Sequence, residues 1–116
     1  MENVITKPKD FTKASIQQIL DYFHFEYLNA VDLDNDPNKQ QFYCGITCDI
    51  DQNLSRHGVK GYMACALCDS YETASKVESL LGEQGFDIGA SQTIGNGGNK
   101  NSKIVYMIEK TKDFRP

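Results

Sequence analysis

The stretch Phe42-Tyr43-Cys44-Gly45-Ile46-Thr47-Cys48-Asp49-Ile50-Asp51-Gln52-Asn53-Leu54-Ser55-Arg56-His57-Gly58 packs a strand-to-helix junction into 17 residues. Gln41 to Ile46 reads as a strand. Asp49 to His57 reads as a short helix, because Asp49 can cap its first turn and Gly58 can end it. Ile50, Leu54 and His57 recur at helical spacing and share one face.

Upstream, Phe11 to Phe25 is expected to be a helix with Thr12 as its cap. Ile16, Ile19, Leu20 and Phe23 make one apolar stripe on it. Glu26 to Leu33 then reads as a strand, and Asp34-Asn35-Asp36-Pro37-Asn38 as a turn cluster, giving an antiparallel hairpin with Gln41 to Ile46. Downstream, the apolar run Tyr62 to Leu67 predicts a strand buried on both faces. Tyr71 to Gln84 predicts a helix capped by Asp69 or Ser70 and closed by Gly85, with Ala74, Val77, Leu80 and Leu81 as its core face. Phe86 to Ile94 reads as extended, 95–102 as a polar loop and Lys103 to Glu109 as a last central strand. The order αββαβαβ predicts an α+β fold, with a central, mostly antiparallel sheet flanked by helices.

A chain of 116 residues, 40% hydrophobic, fits one domain with a modest core. We expect that domain over 11–110, after a loose lead-in at 1–10 and before a tail at 111–116. No apolar run reaches the roughly 20 residues needed to cross a bilayer, and a cytoplasmic protein with no membrane partner is the expectation. The net charge of −4 disfavours a surface that coats DNA broadly, because phosphate neutralisation supplies most of that affinity. Lys100, Lys103, Lys110, Lys112 and Arg115 gather near the C-terminal end, read as a solvated tail or a local basic groove.

The segment Tyr43-Cys44-Gly45-Ile46-Thr47, followed by Asp49, Leu54 and His57, resembles the second signature strand and first catalytic helix of the GIY-YIG nuclease superfamily. Phe25-Glu26-Tyr27 then stands at the first signature, with Tyr27 as its tyrosine. Glu78, in Ala74-x-x-Val77-Glu78-x-x-Leu81, resembles the family's metal-binding glutamate. Asn96, in Gly95-Asn96-Gly97-Gly98, resembles its asparagine. The resemblance spans roughly 25–109 and implies a small GIY-YIG-like domain. Such a domain cleaves DNA phosphodiesters with Mg²⁺ or Mn²⁺ at Glu78. Tyr27, Tyr43 and His57 would serve catalysis, and Gly45, Thr47, Asn53 and Asn96 would face the substrate.

The family's arginine aligns with Asn53, which lacks a charged bidentate fork. Losing one such donor costs on the order of 100- to 1000-fold in rate. Arg56 is displaced by about 60° on a helical wheel of roughly 3.6 residues per turn, and is the candidate substitute. The resemblance therefore implies weak or absent cleavage. The alternative is a non-catalytic accessory or inhibitor protein of a phage or bacterium that binds nucleic acid or protein.

Each residue also has a plainer reading. Tyr43 can be a half-buried strand aromatic, His57 a cation at a helix C-terminus, Glu78 a solvated carboxylate and Asn96 a turn residue. The spacing C-x3-C, sixteen residues, then C-x2-C in Cys44, Cys48, Cys65 and Cys68 approaches that of structural zinc sites. It is disfavoured because a strand would send Cys65 and Cys68 to opposite faces. Asp32, Asp34 and Asp36 suggest a calcium loop, but Pro37 and Tyr43 stand where that loop needs Gly and Glu.

Overall fold

The computed structural model describes residues 5–30, 38–89, 101–112 and 114–115. The elements run β1 (Lys9–Asp10), α1 (Ile16–Ala30), β2 (Phe42–Thr47), α2 (Ile50–His57), β3 (Ala64–Leu67), α3 (Tyr71–Glu83) and β4 (Ile104–Glu109). This is an α+β domain with a four-stranded mixed sheet of order β1-β3-β4-β2. β4 is central and antiparallel to both β2 and β3, while β1 runs parallel to β3. β2 and β3 are thus parallel to each other, and α2 makes the crossover between them.

Two sequence expectations fail at the N-terminal end. Glu26 to Ala30 is not a strand: α1 continues through it, so no hairpin joins it to β2. The reason is the stripe itself, since Tyr27 and Ala30 extend Ile16, Ile19, Leu20 and Phe23 at helical spacing. The cap is Ser15 rather than Thr12. The Gln18 amide donates to Ser15 Oγ at 3.1 Å, and Gln18 Oε1 accepts from the Ser15 amide at 2.8 Å, a reciprocal capping box. Thr12 instead bonds Asp10. Before α1, Lys9 and Asp10 pair with Ala66 and Leu67, and Ile5 bridges to Tyr62.

The other helices start and stop as their sequences dictate. Asp49 accepts from the Gln52 amide, and Gly58 closes α2 in the left-handed region at φ 73°. Ser70 caps α3 by accepting from the Thr73 amide. After α3 the chain turns along the β2 edge, where the Cys44 amide donates to the Asp87 carbonyl at 2.8 Å and the Asp87 amide to Phe42 at 3.1 Å. Asp87 is held there by Lys110 at 2.5 Å.

Strand alternation divides the core in two. On one face, α1 and α3 cover Phe42, Cys44, Ile46, Ala64, Ala66, Val105 and Met107. On the other, Tyr43, Cys65, Tyr106 and Ile108 pack with Leu54 and Tyr62. Gly45 lies opposite Tyr106 in register. A Cβ at Gly45 would stand 2.5 Å from Tyr106 Oη and 2.7 Å from Cζ, so the ring needs the glycine beneath it. Gly45→Ala should destabilise the protein by about 1–3 kcal/mol through overpacking, read as a lower denaturant midpoint at unchanged slope.

Candidate functional site

The α2 cap aims Asn53, Leu54 and His57 at the sheet, where all three are buried. β2 alternation sends Tyr43, Gly45 and Thr47 to the same face, and β4 contributes Tyr106. Thr47 serves the junction: its hydroxyl accepts from the Asp49 amide at 3.0 Å and donates to the Asp49 carbonyl at 3.1 Å. The Tyr43 ring lies 5.3 Å from the His57 ring and 6.3 Å from that of Tyr106.

A directed hydrogen-bond chain runs through the cluster. A backbone carbonyl can only accept, so His57 Nδ1 donates to the Arg115 carbonyl, at 2.6 Å. In neutral imidazole Nε2 is then the acceptor, and the Tyr106 hydroxyl donates to it at 2.8 Å. Asn53 Nδ2 donates to Tyr106 Oη at 3.3 Å, and the Tyr62 hydroxyl donates to Asn53 Oδ1 at 2.8 Å. Each link satisfies a buried polar group, which low local polarity makes costly to leave unpaired.

Burial holds His57 below the usual imidazole range, with the charges of Arg56 and Arg115 adding to it, against the opposing bond to Arg115. Burial also pushes the Tyr62 and Tyr106 phenols far up, so both stay protonated. For Tyr106, Tyr43 and the Glu78 carboxylate add to the rise.

The structure brings Tyr43, Asn53 and His57 together, with Gly45 beneath Tyr106. Arg56 is exposed on α2, yet its charge reaches His57, Tyr62 and Tyr106. Glu78 is buried on α3, which covers the opposite face, and its charge is felt at Cys44 and at Tyr106. Tyr27 does not join the cluster. It sits on α1 and packs edge-on against Phe42 and Phe86, each at 5.2 Å, in the other core. Its placement follows from the helix replacing the expected strand. Asn96 lies outside the described residues.

Cys44 and Cys68 belong to the α1/α3 core, Cys65 to the opposite one, and Cys48 is exposed. Among the described residues no three His, Cys, Asp or Glu gather as a metal-binding group. Burial raises the Cys65 and Cys68 thiols to about 12 and about 11, so both remain protonated.

Sequence reasoning missed Tyr62, Tyr106, Phe114 and Arg115. Phe114 stacks on His57 and Arg115 bonds to it. No family model, no curated protein and no solved structure matches this chain. Among the described residues, no helix is long and apolar enough to cross a membrane.

The lowered His57 value fixes a pH dependence. The unfolded state takes up a proton near the ordinary value of 6.5, whereas the folded state resists it until lower pH. This contribution to stability is complete above about 6.5 and is lost as pH falls towards the folded value. Urea unfolding at pH 7.5 and at pH 5.5 (about one unit to either side of 6.5) should show wild type losing stability on acidification, and His57→Gln losing less. Equal losses would contradict the neutral, buried assignment.

Proposed function

We propose that this chain is a GIY-YIG-like domain that acts on DNA phosphodiesters with one divalent metal, Mg²⁺ or Mn²⁺, at Glu78, and that Asn53 leaves its cleavage weak. The observation that carries this reading is the meeting of Tyr43, Asn53 and His57, from a strand and the helix after it, in one cluster, while Glu78 lies on the helix that covers the other face of the sheet. One buried carboxylate is a donor set that suits Mg²⁺, which keeps several waters and leans on substrate phosphate, and does not suit zinc. When bound there, the metal would polarise the phosphoryl group as a Lewis acid.

The chain's own residues divide the remaining work. His57 keeps Nε2 unprotonated and directed at Tyr106, while Nδ1 is fixed by a carbonyl. Tyr43 flanks that ring and orders the cluster wall. Arg56 is the cation nearest to the arginine's former role. Asn53 spends both ends of its amide on Tyr62 and Tyr106 and supplies no charge for phosphate.

A second reading is favoured by the burial of the cluster: Tyr62 and His57 are fully enclosed, and Phe114 lies over His57. On it, the chain is a non-catalytic accessory or inhibitor protein that binds nucleic acid or another protein.

Supercoiled plasmid incubated with excess protein and Mg²⁺ or Mn²⁺ separates the two. Slow nicking is expected, with a rate on the order of 100- to 1000-fold below that of an arginine-bearing site. It should vanish with chelator and in Glu78→Gln. Nicking that persists unchanged in Glu78→Gln contradicts the proposed site, and absence of nicking by folded protein favours the second reading.

A further inference from the structure

The segment following β4 folds back over the cluster. The Phe114 amide donates to the Thr111 carbonyl at 3.1 Å, which turns the chain towards α2. The Phe114 ring then stacks on His57 at 5.3 Å and 12°, and leans on Tyr43 at 5.4 Å. Arg115 makes three ties to α2: its amide donates to the His57 carbonyl at 2.8 Å, its carbonyl accepts from His57 Nδ1 at 2.6 Å, and Nη2 donates to the Ser55 carbonyl at 2.8 Å. Thr111, Lys112 and Arg115 are exposed and Phe114 is half-buried, so one ring is the apolar anchor among the described residues of this strap.

Lifting the strap would leave a slot walled by the rings of His57 and Tyr43. Its edge would offer one donor, His57 Nδ1, and two acceptors, the His57 and Ser55 carbonyls, with the exposed Arg56 between those two residues in α2. A plain apolar side chain uses only the walls. An unpaired nucleobase uses the walls by stacking, the mixed edge by hydrogen bonding and the cation through its phosphate.

We propose that the Tyr43–His57 slot binds an unpaired nucleobase of a single-stranded nucleic acid, and that the strap carrying Phe114 and Arg115 blocks it by inserting Phe114 in the base's place. The strap is an intramolecular competitor, so the affinity seen in wild type is reduced by the fraction of time the slot is filled. This inference rests on the nucleic-acid reading of the site, and it concerns binding alone.

The test is fluorescence anisotropy with a labelled mixed-sequence single-stranded oligodeoxynucleotide, using the full chain. Arg115→Pro deletes the amide donated to His57 and leaves both slot walls in place. Phe114→Ala empties the slot. Both should move the His57 ring resonances and tighten binding by about tenfold, the gain expected from one newly stacked base. Arg115→Pro also removes a positive charge, so tighter binding there cannot come from electrostatics. Adding Tyr43→Leu to Phe114→Ala should abolish the gain. Moved His57 resonances with unchanged affinity would overturn the proposal, as would unmoved resonances in both variants or a gain that survives Tyr43→Leu. Tighter binding without plasmid nicking would uphold the slot while contradicting catalysis, so the two readings fail separately.

Discussion

The hydrogen bond from the Tyr106 hydroxyl to His57 Nε2 ties the central strand to the crossover helix, and the rest of this face depends on it. Tyr106 and His57 are almost wholly buried, so neither can exchange the other for water. Once the bond is fixed, neutral His57 must carry its proton on Nδ1, and that buried N–H needs an acceptor. The Arg115 carbonyl fills that need. On the other side the phenolic oxygen accepts from Asn53, whose carbonyl end takes the Tyr62 hydroxyl. Strand, helix, loop and strap are thus coupled through one chain of donors with a single direction.

That arrangement explains the residue at position 53. Its surroundings are two buried phenols that stay protonated, which offer oxygen acceptors and no negative charge. A guanidinium there would be a buried cation without a carboxylate on those two sides, an expensive state. An amide, with one donor end and one acceptor end, fits both neighbours. Asn53 therefore completes a neutral network. Gly45 belongs to the same design, since only a missing side chain lets the Tyr106 ring cross β2 and bring its hydroxyl to α2.

Much of the fold was legible because its signals are local. The Asp49 and Ser70 caps, the left-handed Gly58 and the apolar stripe of α3 each declare their element within a few residues. The failure at Glu26 to Ala30 came from weighing strand-forming composition above the helical period, which Tyr27 and Ala30 in fact continue. Of the site, Tyr43, Asn53 and His57 were visible because β2 and α2 are adjacent in sequence. Tyr62, Tyr106 and Phe114 were not, because their approach depends on β-register and on a long-range return that spacing cannot encode. The opposition of Gly45 to Tyr106 was the signal available, and it has meaning only once β2 is known to pair with β4.

His57 is neutral, protonated on Nδ1 and held between Tyr106 and the Arg115 carbonyl. A long-range ¹⁵N–¹H correlation spectrum of the two histidines at neutral pH tests it directly, with His24 as the internal reference. His57 should show the Nδ1–H tautomer, with Nε2 shifted as a hydrogen-bond acceptor. An Nε2–H tautomer or an imidazolium at neutral pH would contradict it.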